Sequence, residues 1–149
     1  MHRRISLAEY VKKRNGVPLG SPGSLQAMLH RSFGADSFHG FWHYWNPIWG
    51  YYLSRYVMRP LHKVLPLWIA VILTFLVSGA LHDIAVSLVK WRPIFFLTPW
   101  FTLMGAMVVL SKAGNLTFGN APWIARALIN TACIWVGYYL TTLLQGAWR

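Results

Sequence analysis

His82 is the side chain of this sequence best suited to proton-transfer chemistry. It lies beside Asp83 within the apolar run of residues 75–83, where ionisable groups are costly and therefore indicate function. Ser78 precedes His82 by four residues, so the two side chains share one face of a helix. A neutral imidazole can accept a proton from a hydroxyl group and return it. Spacing alone favours a catalytic histidine and a histidine that hydrogen-bonds between helices equally.

Other chemistries that need a recognisable motif find little support in the sequence. His39 and His43 have the i, i+4 spacing of two zinc ligands on one helix, but no carboxylate or thiolate nearby completes a ligand set. We therefore predict no metal site and no cofactor. Paired carboxylates, phosphate-binding glycine loops and a Gly-x-Ser-x-Gly elbow are absent from the sequence. Cys133 is the single cysteine and lies in an apolar run, which favours a packing role.

Composition predicts that these groups are positioned by membrane helices. Of the 149 residues, 56% are hydrophobic and only 11% are charged, whereas about 25% are charged in an average soluble domain. The acidic residues are Glu9, Asp36 and Asp83. Disordered chains have the opposite composition, and a soluble fold would need more charge on its surface. The sequence therefore predicts an all-α integral membrane protein.

The basic residues are concentrated ahead of the long apolar runs, and the net charge is +11. This placement is typical of loops on the cytoplasmic side, beside anionic lipid. It predicts a cytoplasmic N-terminus, in the inner membrane if the source is bacterial, and no nucleic-acid partner. Nine of the 14 basic residues precede residue 64: Arg3, Arg4, Lys12, Lys13, Arg14, Arg31, Arg55, Arg59 and Lys63.

The chain divides into a basic polar segment at the membrane surface, residues 1–36, and a transmembrane domain, residues 37–149. In the first segment, Ser6 and Glu9 have the spacing of a capping box and predict a helix over residues 7–14. In the second, apolar runs predict spans over residues 65–89, 94–110 and 124–144. Lengths of about 17 to 25 residues suit a hydrocarbon layer of about 30 Å.

Residues 38–58 are unusually aromatic, with nine Phe, Trp and Tyr residues among 21. Trp and Tyr prefer the membrane–water boundary, which favours an interfacial belt. The alternative is a re-entrant or broken helix that lines a polar cavity, with Pro47 and Gly50 marking the break. A crossing by this segment would raise the number of spans from three to four.

Two strings of the sequence resemble signature blocks of the membrane-bound O-acyltransferases. Residues 37–46, SFHGFWHYWN, with the continuation through Leu53, Tyr56 and residues 59–61, resemble the Phe-Trp-x-x-Trp-His/Asn block of that family. Residues 75–82, FLVSGALH, resemble the Ser-Gly-x-x-His signature that follows it. Asn46 and His82 correspond to the key positions of the two blocks and occur in the family's order, 36 residues apart.

The resemblance implies transfer of an acyl group from a thioester donor, such as acyl-CoA, to a hydroxyl acceptor within the bilayer. It implies that His82 is the general base and that Asn46 is a positioning group. An amide cannot act as a base but can donate a hydrogen bond to a carbonyl oxygen or an oxyanion. Around these two, it implies substrate-binding roles for Trp42, Trp45, Ser78 and Arg59.

Members of that family have many more spans, arranged around a tunnel for the two substrates. This sequence predicts three or four spans, so we expect the chain to associate with itself or with a larger membrane partner. The alternative function is a small non-catalytic membrane subunit or scaffold in which the motif residues serve packing.

Overall fold

The computed structural model describes residues 5–147, which form helices and connecting loops, with no strand in this part of the chain. Arg3, Arg4 and Arg149 of the basic set lie outside the described residues. The all-α prediction is confirmed. In chain order the helices are α1 Leu7–Asn15, α2 Ser24–Phe33, α3 Phe38–Tyr44, α4 Pro47–Leu53, α5 Arg59–His62, α6 Leu67–Lys90, α7 Leu97–Ala113 and α8 Trp123–Ala147. A π-helical turn, Ser54–Met58, lies between α4 and α5.

Three long helices correspond to the three predicted spans. Within the described residues, α6 (24 residues) and α8 (25 residues) are long and apolar enough to cross a membrane, whereas α7 is apolar but has 17 residues. The helix expected from residue 94 begins at Leu97 because residues 91–96 form a loop. Trp91 adopts a left-handed backbone conformation (φ 50°), which ends α6. The Ser87 hydroxyl then accepts a hydrogen bond from the Ile94 amide at 2.8 Å.

Small and polar side chains form the buried faces of α6 and α8, whereas large apolar side chains are exposed. A soluble helix has the opposite distribution, with its apolar stripe turned toward the core. The buried residues are Ala70, Thr74, Ser78, Gly79 and Asp83 in α6 and Asn130, Gly137 and Thr141 in α8. More than half of the side-chain surface is exposed at Trp68, Ile84, Leu88, Ile124, Leu128, Trp135, Tyr139 and Leu143.

Helices α6 and α7 form a closely packed antiparallel hairpin. A Cβ atom at Gly79 would lie 2.5 Å from the carbonyl oxygen of Leu97, and one at Gly105 would lie 2.8 Å from the Cβ of Phe75. Only glycine permits this approach of the two backbones. Asp83 is 4% exposed and accepts hydrogen bonds from the amides of Phe96, Leu97 and Thr98 at 2.7 to 3.1 Å. A buried carboxylate of α6 therefore caps the N-terminus of α7.

The aromatic segment is broken, but at Trp45 and Asn46 and not at Gly50, which lies inside α4. Asn46 has a positive φ of 41° and is the N-cap of α4, and Pro47 occupies the first helical position, where its missing amide donor costs little. Phe38 and Phe41 of α3 are fully buried in a core that includes Met104 and Val108 of α7. Part of this segment is therefore protein core, while Tyr52 and Tyr56 are exposed.

The N-terminal helices cover the aromatic segment. The predicted capping box is present, because the Ser6 hydroxyl accepts from the Glu9 amide and the Glu9 carboxylate accepts from the Ser6 amide. Helix α1 packs against α4, and α2 packs against α3 and α8. The buried Asn130 of α8 donates to the carbonyl oxygens of Phe33 and Ala35, both at 3.1 Å. These contacts join residues 5–36 to the rest of the fold.

Candidate functional site

One cavity brings together five of the six side chains that the sequence predicts for the site. It has a volume of about 250 Å³ and lies between the aromatic segment, α6 and α7, with α1 along one side. The predicted residues in its wall are Trp42, Trp45, Asn46, Ser78 and His82, and they are joined there by Tyr10, Arg14, His43, Trp49, Phe75 and Phe101 among others.

The tautomer of the neutral His82 imidazole is fixed by its own helix. Its Nδ1 atom lies 2.6 Å from the backbone carbonyl oxygen of Ser78, and because a carbonyl can only accept, Nδ1 carries the proton. The other ring nitrogen, Nε2, is then unprotonated in the neutral imidazole and has no hydrogen-bond partner among residues 5–147. The ring stacks on Phe101 at 5.1 Å and meets the edge of Trp49 at 5.8 Å. The lone pair of Nε2 is available to a hydroxyl proton.

The Asn46 side chain is oriented by the helix that it caps. Its Oδ1 atom accepts a hydrogen bond from the Trp49 amide at 3.2 Å, which leaves the Nδ2 group as a free donor among the described residues. The left-handed conformation places this side chain at the break between α3 and α4. Asparagine adopts that conformation more readily than most residues. The break therefore presents an amide donor at the cavity that His82 also lines.

Trp49 connects the two signature blocks and was missed by the sequence reasoning. Its indole Nε1 donates to the Ser78 hydroxyl at 2.9 Å, and its ring contacts His82. Ser78 itself is buried. Trp49 lies three residues after Asn46, so its position one turn into a helix capped by Asn46 was the available signal.

Trp42 and Trp45 supply the aromatic wall of the cavity. Trp42 meets Phe75 of α6 edge-to-face at 5.2 Å, and Trp45 stacks on Phe41 at 5.4 Å. These ring contacts anchor the wall to the buried core and to α6. The arrangement gives the site an apolar surface beside its two polar groups, as expected for a pocket that holds an apolar substrate group.

Arg59 does not lie with the other predicted residues. It lines a second cavity of about 400 Å³ together with Arg55 and Lys63. Tyr10 and Ser54 contribute to the walls of both cavities. The structure thus divides the predicted site into an apolar chamber around His82 and a basic chamber next to it.

His43 lines the first cavity, although its position in the motif gave no reason to include it. The Arg14 guanidinium lies against the His43 ring and also above the Tyr10 ring. Partial burial of the ring among these groups lowers the pKa of His43 to about 4, and the nearby charges of Arg14, His39 and Lys13 add to the effect. His43 is therefore neutral near pH 7 and is a much weaker base than an ordinary histidine.

Asp83 and His39, which the sequence also singles out, do not line the cavity around His82. Asp83 faces α7 and not His82, so the adjacent pair does not act as a hydrogen-bonded unit. His39 lies 3.5 Å from the hydroxyls of Ser37 and Ser111. Among residues 5–147, no group of three or more His, Cys, Asp or Glu side chains is arranged to hold a metal ion.

Comparisons of the chain with known protein families, with characterised proteins and with solved structures found no match.

Proposed function

We propose that this chain is a membrane-embedded acyltransferase, or one part of such an enzyme, with His82 as general base and Asn46 as positioning group. The observation that carries the proposal is the cavity itself. Two sequence strings separated by a turn and two short helices come together there, and each presents an unpaired polar group: His82 Nε2 and Asn46 Nδ2.

The membrane location is supported by the exposed surfaces of α6 and α8. Their outward faces carry large apolar side chains, and their inward faces carry small and polar ones. Lipid chains suit such outward faces, whereas water does not. The clustering of basic residues before residue 64 supports a cytoplasmic N-terminus, and α6, α7 and α8 are then the three spans.

The proposed reaction uses the two free groups in turn. His82 Nε2 accepts the proton of an acceptor hydroxyl while that oxygen attacks the carbonyl carbon of a thioester. Asn46 Nδ2 donates a hydrogen bond to the oxyanion of the tetrahedral intermediate. The carbon–sulfur bond then breaks, and the imidazolium returns the proton to the departing thiolate. The products are an ester and a free thiol, and no cofactor is consumed.

The small volume of the cavity supports the proposal that a partner subunit completes the site. The cavity volume of about 250 Å³ lies below the usual range for ligand pockets, about 300 to 1,000 Å³, and the cavity is open to the surroundings. Thioester chemistry needs a site that restricts water. We propose that a second copy or a larger membrane subunit completes the chamber. Light scattering on the detergent-solubilised active material tests this, because an active strict monomer would contradict it.

The alternative function is a non-catalytic membrane subunit, and the contacts of the motif residues favour it in one respect. Asn46 caps α4, Ser78 accepts from Trp49, and the His82 ring lies between two aromatic rings. Each of these contacts stabilises the fold whether or not acyl transfer occurs.

The substitution His82→Asn separates the two functions. Asparagine can still donate a hydrogen bond to the Ser78 carbonyl, but it has no basic nitrogen. The matched control is His62→Asn, because His62 also has its Nδ1 atom near a backbone carbonyl, that of Leu65, but is exposed and outside the cavity.

Proteoliposomes containing phosphatidylglycerol are supplied with radiolabelled acetyl-, octanoyl- or palmitoyl-CoA, and ester formation and the melting temperature are measured. We expect His82→Asn to lower transfer by about 10²- to 10⁴-fold at nearly unchanged melting temperature, with His62→Asn active. Undiminished transfer in His82→Asn would contradict the role of His82 as general base. A lower melting temperature in His82→Asn, together with no transfer by the wild type, would support the non-catalytic subunit.

A further inference from the structure

The basic chamber next to the proposed active site is built from residues of one short stretch. Arg55, Arg59 and Lys63 follow one another at intervals of four residues, from the π-helical turn to the residue that follows α5. They line a cavity of about 400 Å³ whose other walls include the side chains of Tyr10, Tyr51 and Tyr56. Three cations and three phenol groups therefore line one concave surface.

No described carboxylate neutralises this group of cations. The chain has three acidic side chains. Glu9 participates in the cap of α1, Asp36 accepts from the Ser37 hydroxyl, and Asp83 caps α7. Within residues 5–147, Arg55, Arg59 and Lys63 thus form no ion pair with a protein carboxylate. Repulsion among three neighbouring cations is unfavourable unless an anion lies between them.

The first of these cations, Arg55, is held in place before any ligand binds. The Arg55 guanidinium donates to the Tyr51 hydroxyl at 2.5 Å and lies 5.8 Å from the centres of both the Tyr51 and the Tyr56 rings. Tyr51 in turn meets Tyr10 edge-to-face at 5.5 Å. A preorganised guanidinium loses little conformational entropy on binding, which is an advantage for recognition of phosphate oxygens. The turn that carries it, Ser54–Met58, is π-helical, a conformation often found at functional sites.

The chamber lies at the end of the fold where α6 begins. Lys63 precedes Leu67 by one turn, and the indole of Trp68 is more than half exposed there. Exposed Trp and Tyr side chains at the end of an apolar helix are typical of the headgroup level of a bilayer. An anion at that level is either the headgroup of a lipid or a soluble phosphate compound from the adjacent water.

We propose that the chamber of Arg55, Arg59 and Lys63 is a binding site for a phosphate group, carried by an anionic phospholipid or by a soluble compound. The proposal goes beyond acyl transfer, and its test requires no turnover. Arginine provides paired donors for phosphate oxygens and lysine provides a point charge. The hydroxyls of Tyr10 and Tyr56 add neutral donors, whereas the Tyr51 hydroxyl accepts from Arg55 and donates to the Ile5 carbonyl oxygen at 3.4 Å.

The test measures binding through the melting temperature of the full chain in a zwitterionic detergent. The probes are dihexanoyl-phosphatidylglycerol, dihexanoyl-phosphatidylcholine and inorganic phosphate, each titrated separately. A ligand that binds only the folded state raises the melting temperature in a concentration-dependent way. We expect phosphatidylglycerol to stabilise the wild type and phosphatidylcholine to have little effect, because the choline cation offsets the charge of its phosphate. Stabilisation by inorganic phosphate as well would identify the phosphate alone as sufficient, whereas stabilisation by the lipid only would identify the headgroup as the source.

The variant Arg59→Gln/Lys63→Gln removes two exposed cations of the chamber, and Lys12→Gln/Lys13→Gln removes two exposed cations of α1 outside it. Each basic residue beside an anionic headgroup contributes about a fivefold gain in affinity. We therefore expect the first variant to bind phosphatidylglycerol about 25-fold more weakly and the control to lose less than about threefold.

A further variant, Tyr51→Phe, removes only the hydroxyl that holds Arg55, and we expect a smaller loss from it. Equal losses of affinity in Arg59→Gln/Lys63→Gln and in Lys12→Gln/Lys13→Gln would indicate attraction by net charge alone and would overturn the proposal. Absence of stabilisation by both phosphatidylglycerol and inorganic phosphate would also overturn it. If the first variant fails to fold, Tyr51→Phe decides, because wild-type affinity in that variant would exclude a site organised around Arg55.

Discussion

Replacement of Asp83 tests the internal organisation of the α6–α7 hairpin. In the wild type, Asp83 accepts four hydrogen bonds, from the amides of Phe96, Leu97 and Thr98 and from the Thr98 hydroxyl. Residue 99 is proline and has no amide donor, and the Trp100 amide donates to the Phe96 carbonyl at 3.2 Å. Asp83 therefore satisfies every remaining donor in the first turn of α7.

Asp83→Ala leaves three amide donors without an acceptor in a nearly buried position. Each buried unsatisfied donor costs about 1 to 3 kcal/mol, and loop relaxation with entry of water keeps the sum near the lower end. We expect a loss of about 3 to 5 kcal/mol in the free energy of unfolding. Asp83→Asn retains one acceptor oxygen and is expected to lose about 1 to 3 kcal/mol, and Thr98→Val, which removes one hydroxyl, about 1 kcal/mol.

The assay is unfolding in mixed micelles with increasing sodium dodecyl sulfate, followed by circular dichroism. The graded order is the informative result, because it follows the number of hydrogen bonds removed. A value for Asp83→Ala within about 1 kcal/mol of the wild type would refute the assignment of this carboxylate as the cap of α7.

Two further predictions concern packing and pH. Gly79→Ala places a Cβ atom 2.5 Å from the Leu97 carbonyl oxygen, so we expect it to lower the free energy of unfolding by about 1 to 3 kcal/mol in the same assay. The control Gly146→Ala, which has open space around its position, should be neutral or stabilising. The pKa of His43 is lowered from 6.5 to about 4 in the folded state, so the unfolded chain binds more protons between these values. Stability is therefore expected to fall as the pH decreases from 6.5 toward 4, and His43→Gln should remove this part of the pH dependence; an unchanged slope would contradict the explanation.

Local signals predicted the local features of the fold. The spacing of Ser6 and Glu9 was sufficient for the capping box, because both partners lie within one helical turn. Apolar runs identified α6, α7 and α8, but they did not predict where α7 begins. That boundary depends on contacts of Asp83 and Ser87 with a loop 7 to 15 residues further along the chain, which no periodicity reveals.

The sequence predicted the motif residues that share the cavity around His82, but it did not predict that Arg59 lies in a different cavity. Proximity in the motif suggested one site for Trp42, Asn46 and Arg59, but the break at Asn46 and the π-helical turn direct Arg59 into a different cavity. Trp49 escaped notice because, in a segment with nine aromatic residues, nothing in the composition distinguishes the one that contacts His82. Side-chain contacts between segments that are distant in sequence determine which of these residues belong to the site.

Because His82 and Asp83 are neighbours in α6, the contacts of Asp83 also determine the position of His82. One residue step turns an α-helix by about 100°, so neighbouring side chains face different partners. Because Asp83 is fastened to the first turn of α7, α6 cannot slide or rotate along α7 without breaking those bonds. The imidazole next to it is thereby fixed in its position relative to α7. Turns added or removed near Leu67 would change the length of α6 without moving His82 relative to α7.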